Sequence, residues 1–83
     1  MKKVVIYSTR ICPYCVRAKN FFTKKDIEYT EIMIDSDIGL MREMMEKTGR
    51  KSVPQIFIGD YHVGGFDDLI EHDMDGKLEA LLN

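Results

Sequence analysis

The sequence has 83 residues, 45% hydrophobic and 31% charged, and its 12 basic and 14 acidic residues give a net charge of −2. This composition predicts one globular domain over residues 1–83 and excludes a disordered or collagen-like chain. The longest apolar run, Val4–Tyr7, is far shorter than the roughly 20 residues that cross a bilayer, so we expect a soluble, unexported protein with no membrane partner. No basic stripe offers nucleic acid a surface, so we expect no nucleic-acid partner. Two cysteines are too few for a disulfide-rich secreted scaffold, and their Cys-x-x-Cys spacing predicts a cytoplasmic protein.

Two strands and two helices are predicted in the first part of the chain. Lys3–Tyr7 is a β-branched run without alternation, which is typical of a strand buried on both faces. A helix from about Pro13 to Lys25 follows, because apolar residues recur at helical spacing and proline suits the first helical position. Glu28–Met33 predicts a second strand, and Ile38–Thr48 predicts a second helix that ends at Gly49.

The second part of the chain predicts a hairpin and a last helix. Gln55–Ile58 and Tyr61–Val63 are strands joined by a two-residue turn, and one helix from about Asp67 to Leu82 completes the order βαβαββα. A strand, a helix and a further strand imply a right-handed parallel crossover, whereas the hairpin is antiparallel. The prediction is an α/β fold with a mixed four-stranded sheet flanked by helices.

Cys12 and Cys15 are the candidate catalytic residues, because they lie where the first predicted strand meets the first predicted helix. The N–H groups and the dipole at a helix N-terminus favour an anion and lower the pKa of a cysteine from about 8.5 to roughly 3.5–7.5. Cys12 is therefore the predicted nucleophile. Cys15 lies one turn deeper, close enough to form a disulfide, and is predicted to resolve the intermediate.

Two other roles are open to this cysteine pair. A structural disulfide is one, although closing so short a ring contributes only about 2 kcal/mol in the chain-entropy model. A zinc site is the other, but tetrahedral zinc needs four ligands, and His62 and His72 are the only further candidates. We predict no metal site and expect both histidines at the surface or in the hairpin.

The Val53–Pro54 bond is predicted to be cis. Proline makes a cis bond accessible at about 0.5–1 kcal/mol, although a proline before a strand can also simply mark its start. A cis bond here turns the Val53 backbone N–H and C=O away from the sheet and toward Cys12. An extended peptide could then pair with this backbone edge.

Three motifs occur in a specific order and spacing: Cys12–Cys15 (CPYC), Ser52–Gln55 (SVPQ) and Gly64–Asp68 (GGFDD). Together they resemble a dithiol glutaredoxin of the short bacterial type over nearly the whole chain. The resemblance implies a thioredoxin-like fold and a glutathione-disulfide oxidoreductase that reduces protein disulfides and protein–glutathione mixed disulfides. It further implies glutathione as reducing co-substrate, no bound cofactor, a monomer, and a role in electron transport and cell redox homeostasis.

The resemblance also assigns glutathione contacts to Tyr14, Val53, Pro54, Gly65, Phe66 and Asp67. The Val53 backbone would pair with the cysteinyl part, and Tyr14 would flank the thiol pocket. The glycine segment would hold the γ-glutamyl end, since its N–H groups can receive a carboxylate and Asp67 an ammonium. Asp67 could instead stabilise the start of a helix.

The chain departs from the family pattern at two basic positions. The family commonly has Lys three residues before the first cysteine and Gln or Arg in the second helix, both reaching the glycyl carboxylate; Thr9 and Met41 stand there instead. Arg10 and Arg42 lie one residue further along. They either contact that carboxylate or are solvated surface residues.

Two alternative functions remain open from the sequence. A small redoxin of the same fold could be reduced by thioredoxin reductase, which the missing basic residues favour and Gly64–Asp68 opposes. Some glutaredoxins carry a [2Fe–2S] cluster between two subunits. Pro13 opposes that function, because cluster-binding members typically have Ser or Gly there and proline removes an N–H that could serve the sulfur.

Overall fold

The computed structural model describes residues 1–83 and contains four strands, four α-helices and one short 3-10 turn. In chain order these are β1 (Val4–Ser8), α1 (Pro13–Lys24), β2 (Thr30–Met33), the 3-10 turn (Ile34–Ser36), α2 (Ile38–Thr48), β3 (Gln55–Ile58), β4 (Tyr61–Gly64), α3 (Phe66–Met74) and α4 (Lys77–Leu82). No helix combines the length and the apolar character needed to span a bilayer.

The strands form one mixed sheet in the order β2-β1-β3-β4. β1 pairs with β2 in parallel, with Tyr7 opposite Ile32, and pairs with β3 antiparallel, with Tyr7 opposite Gln55. β3 and β4 form the predicted antiparallel hairpin. The predicted mixed four-stranded sheet is confirmed. The end of β1 and the start of β3 lie side by side, which brings the segment after β1 close to the segment before β3.

β1 is buried on both faces, as its sequence predicts, because successive side chains of a strand point to opposite faces. Ile6 is fully buried against the larger apolar cluster, which contains Phe22 from α1 and Leu69 from α3. Tyr7 is 1% exposed and packs in the smaller cluster with Met44 from α2. The sheet therefore has helices on both sides, and α1 and α3 share one of them.

The last predicted helix is wrong in one respect: two helices, α3 and α4, occupy the segment. Gly76 separates them with a φ of 79°, a left-handed conformation that glycine adopts without a steric penalty. Asp75 Oδ1 then accepts a hydrogen bond of 2.9 Å from the Lys77 N–H, which satisfies a donor at the start of α4. The chain turns at this point, and Leu78 and Leu82 remain buried.

Candidate active site

Cys12 is the N-cap residue of α1, and Pro13 occupies the first helical position. The Cys12 Sγ accepts a hydrogen bond of 3.1 Å from the Cys15 backbone N–H. The two cysteines form a disulfide, with Cα atoms 5.2 Å apart. Cys15 is 1% exposed, whereas Cys12 is partly exposed. An incoming thiol can therefore reach the Cys12 sulfur much more easily than the Cys15 sulfur.

The loop before β3 approaches the dithiol from the other side. The Val53–Pro54 peptide bond is cis, which confirms the prediction. The Val53 carbonyl oxygen lies 3.7 Å from the Cys12 Sγ. The pairing of β1 with β3 accounts for this approach, because Cys12 follows β1 and Val53 precedes β3. Backbone polar groups thus lie beside the reactive sulfur.

A cleft of about 270 Å³ opens next to this loop. Its lining residues are Tyr14, Arg50, Ser52, Val53, Pro54, Gln55, Gly65, Phe66, Asp67 and Asp68. All six residues that the sequence assigns to glutathione are among them. The rings of Tyr14 and Phe66 lie 6.1 Å apart and join the dithiol end of the cleft to its α3 end. A larger hollow of about 690 Å³ lies around Met1–Val4 and Asp26–Thr30, at the end of β1 opposite to the dithiol.

The α3 end of the cleft is built around Asp68. Its Oδ2 accepts hydrogen bonds of 2.9 Å from the Gly65 N–H and 3.3 Å from Arg50 Nη1. The hydrogen bond from the Gly65 N–H is the largest cause that lowers the pKa of Asp68, and Arg50 lowers this pKa further. Gly64 has a φ of 116°, and a Cβ at this position would overlap the Asp68 carboxylate. Glycine is therefore required for the close approach of the β4 end to α3.

Phe66 and Asp67 are the first two residues of α3. The first N–H groups of a helix have no acceptor within the helix, and the helix dipole makes this end partly positive. Because both residues line the cleft, its α3 end suits a carboxylate. The Asp67 side chain is exposed and supplies a negative charge beside that position. The same end thus offers both kinds of partner that an amino acid's carboxylate and ammonium need.

Arg10 and Arg42 do not line the cleft. The Arg10 N–H and Nε donate to Asp35 Oδ2 at 3.1 and 3.4 Å, and its side chain is 81% exposed. Arg42 is exposed on α2. Their contact with a glycyl carboxylate stays a prediction.

Arg50 is the arginine that does line the cleft, and sequence reasoning did not identify it. It lies outside the three motifs and follows Gly49, the left-handed residue that ends α2 with a φ of 70°. The one available signal is its position three residues before Val53.

The structure also brings no group of three or more His, Cys, Asp or Glu side chains together as metal ligands.

The chemistry that this arrangement supports is thiol–disulfide exchange. When the disulfide is reduced, the Cys12 thiolate is stabilised by the Cys15 N–H and by the N-terminal end of α1. A thiolate there attacks a disulfide sulfur, and Cys15 is near enough to attack Cys12 in turn.

Comparison with known proteins gives a consistent result. The family model described as Glutaredoxin matches residues 4–63. A Pseudomonas aeruginosa protein named Glutaredoxin is 48% identical over 83 residues, covering 100% of this chain and 99% of that protein. The solution structure of glutaredoxin from Brucella melitensis matches with a TM-score of 0.86 and 48% identity over 99% of this chain and 89% of the other. The crystal structure of a buckwheat glutaredoxin–glutathione complex matches with a TM-score of 0.89 and 33% identity over 98% of this chain and 76% of the other.

Proposed function

Because this chain belongs to the glutaredoxin family and has its thioredoxin-like fold, we propose that its thiol–disulfide exchange depends on glutathione. The family and the fold make it a thiol–disulfide oxidoreductase. The observation that supports glutathione is that all six expected contact residues line one cleft, at the loop whose Val53 carbonyl oxygen lies 3.7 Å from the Cys12 Sγ. The structural similarity to the buckwheat glutaredoxin–glutathione complex gives further support.

The proposed substrate is a protein–glutathione mixed disulfide. The Cys12 thiolate attacks the glutathione sulfur, the protein leaves as a thiolate that takes up a proton, and a Cys12–glutathione disulfide forms. A second glutathione thiolate then attacks the glutathione sulfur of this intermediate. Glutathione disulfide leaves, and the Cys12 thiolate is regenerated. Cys15 takes no part in this route.

A protein disulfide follows a second route, which uses both cysteines. Cys12 attacks one sulfur of the target and forms a mixed disulfide with it, and the other target sulfur leaves as a thiol. Cys15 then attacks Cys12, which releases the fully reduced target and forms the Cys12–Cys15 disulfide that the structure contains. Two glutathione molecules reduce this disulfide and leave as glutathione disulfide.

Each part of glutathione has a proposed partner in the cleft. The Val53 backbone N–H and C=O pair with the cysteinyl part, which places its sulfur beside the Cys12 Sγ. The Phe66 and Asp67 N–H groups receive the γ-glutamyl carboxylate, and the Asp67 carboxylate receives its ammonium. Tyr14 and Pro54 provide the apolar walls.

We also propose that the protein acts as a monomer in the cytoplasm on glutathionylated or disulfide-containing proteins. The cysteine content supports this location, because the two cysteines of the chain form one CxxC pair rather than a disulfide framework. A glutathione pool that is kept reduced is also the condition under which the proposed reaction runs toward reduction of the target.

The test is NADPH consumption with a glutathionylated peptide as substrate. One assay contains glutathione and glutathione reductase, and the other contains thioredoxin reductase alone. We expect turnover only in the first assay. Turnover only in the second assay would show that thioredoxin reductase is the electron donor, and the proposed glutathione contacts would then be wrong.

A further inference from the structure

Gln55 is a buried polar residue directly after the cis proline, with 1% of its surface exposed. Its Nε2 donates to the Ser52 carbonyl oxygen at 3.0 Å and to the Ser52 Oγ at 3.3 Å. Its Oε1 lies 2.7 Å from His62 Nε2. The side chain thus ties the loop that contains Val53 to strand β4, on which His62 lies.

The hydrogen-bond partners fix the direction of each donor. A carbonyl oxygen only accepts, so the Gln55 amide must direct its NH₂ group at Ser52 and its oxygen at His62. His62 Nε2 must therefore carry a proton and donate it. Burial is the largest cause that lowers the pKa of His62, and the positive charge of Arg50 lowers it further. The negative charge of Asp68 raises this pKa by a smaller amount. The ring is thus neutral at neutral pH and has a single N–H, which lies on Nε2.

The His62 ring itself is held in place. It stacks on the Phe57 ring at a centroid distance of 4.9 Å with an angle of 27° between the planes. His62 does not line the cleft. Its hydrogen bond to Gln55 is the contact that links the His62 ring to the Ser52 loop.

We propose that His62 is a positioning residue, whose Nε2–H orients the Gln55 amide so that Gln55 holds Ser52 and thereby the Val53 backbone opposite the Cys12 sulfur. The inference rests on the proposed function, since it assigns the binding of the cysteinyl part of glutathione to this hydrogen-bonded chain. The Val53 carbonyl, 3.7 Å from the Cys12 Sγ, is the group whose placement the chain controls. Loss of the donor should therefore weaken substrate binding while leaving the reaction at Cys12 intact.

The kinetic test compares two His62 variants and one control variant on a glutathionylated peptide. His62→Phe keeps a ring that can stack on Phe57 but removes the N–H, and His62→Gln supplies an amide N–H. We expect His62→Phe to raise KM about tenfold, the effect of one buried hydrogen bond, with kcat within about twofold. We expect His62→Gln to recover most of that loss.

Tyr61→Phe is the matched control. It removes one partly buried hydrogen bond, the 2.9 Å contact with His72 Nε2, from the same strand without touching the Ser52 loop. We expect its KM to stay within about twofold of the unsubstituted protein. The proposal is overturned if His62→Phe leaves KM unchanged, if Tyr61→Phe raises it equally, or if His62→Gln recovers nothing.

A second readout does not depend on turnover. Hydrogen exchange of the Gln55 side-chain NH₂ protons is measured by NMR in the same three variants. We expect exchange to be at least about tenfold faster in His62→Phe, with recovery in His62→Gln and no change in Tyr61→Phe. If the unsubstituted protein does not use glutathione, the proposed function fails, and this measurement still decides whether His62 orients Gln55. Unchanged exchange in His62→Phe would overturn the positioning role.

Discussion

The Cys12 sulfur accepts a hydrogen bond of 3.1 Å from the backbone N–H of Cys15. Cys12 therefore occupies the position at which Ser, Thr, Asp or Asn usually caps a helix, with its side chain bonded to an N–H of the first turn. Pro13 has no N–H, so the Cys15 N–H is one of the few donors at this helix end. The residue that we propose resolves the mixed disulfide thus also donates its backbone N–H to the sulfur that we propose is the nucleophile.

The first prediction separates the two cysteines. Cys12→Ser should abolish turnover of a glutathionylated peptide, because a serine hydroxyl at neutral pH is not a nucleophile for disulfide sulfur. Cys15→Ser should retain much of that turnover, because its backbone N–H remains and the route requires one thiol. Steady-state NADPH consumption with glutathione reductase measures both. A comparable loss in the two variants would mean that only the dithiol route operates.

Reduction of a protein disulfide is the complementary assay. Here Cys15→Ser should lose most activity, since the mixed disulfide with Cys12 can no longer be resolved from within the chain. In Cys12→Ser, the remaining Cys15 cannot replace Cys12 as the attacking thiol, because only 1% of its surface is exposed. Full activity of Cys15→Ser on a protein disulfide would contradict the second route.

The elements of the first half were predictable because local signals and tertiary structure agree there. The run before Tyr7 is buried on both faces, and Pro13 begins α1. The break at Gly76 was missed, because an apolar stripe continues on both sides of it and Leu78 and Leu82 stay in the core. A single exposed glycine does not show whether a helix ends at that position.

The motif residues of the cleft were predictable, whereas their supporting residues were not. Val53 and Asp67 belong to recognisable motifs. Arg50 is hydrogen-bonded to Asp68 and His62 to Gln55, and these contacts exist only after β4, α3 and the loop before β3 come together. No spacing in the sequence links such pairs.

The second prediction concerns the positive charge in the cleft. Arg50 lies beside Asp68, and Asp67 adds a further carboxylate at the same end. Without Arg50, these two carboxylates would be left without a positive charge at the end of the cleft that is proposed to receive the γ-glutamyl carboxylate. Arg50→Gln should therefore raise KM for the glutathionylated peptide roughly three- to tenfold. The increase is smaller than a buried charged contact would give, because the Arg50 side chain is half exposed. This increase in KM should exceed that of Arg10→Gln, because the Arg10 side chain is paired with Asp35 outside the cleft.

Lys24→Gln is the charge-matched control for both arginine variants, since it removes one positive charge from the last turn of α1. Its KM should not change. If Arg10→Gln has the larger effect, Arg10 leaves Asp35 to contact the substrate, as the sequence alone suggests. Initial rates over a range of peptide concentrations give the three KM values.

The third prediction concerns Gly64. Gly64→Ala should lower the free energy of unfolding by about 3 kcal/mol, because an alanine there is strained at a φ of 116° and its Cβ overlaps the Asp68 carboxylate. Gly49→Ala is the control: its φ is 70°, but no atom lies within 4 Å of an added Cβ. Strain alone should cost about 1–2 kcal/mol at that site. Equal losses in urea unfolding would show that the overlap with Asp68 carries no cost.

The fourth prediction is a pH dependence of stability that comes from Asp68. The Gly65 N–H, and then Arg50, hold the pKa of Asp68 below its ordinary value of 3.8 in the folded protein. The unfolded chain therefore binds this proton at higher pH than the folded protein does. The stabilisation is present above about pH 4 and is lost as the pH falls through the folded pKa.

Asp68→Asn should be about 1 kcal/mol less stable than the unsubstituted protein at pH 7, because it weakens the bond to the Gly65 N–H at the start of α3. The difference should narrow as the pH is lowered to about pH 3, since the variant has no proton to gain at this position. Urea unfolding across this range measures it. Arg50→Gln should keep most of the pH dependence, because the Gly65 N–H is the larger cause of the lowered pKa. If Arg50→Gln removes the dependence completely, the ion pair with Arg50 rather than the Gly65 N–H holds Asp68 ionised.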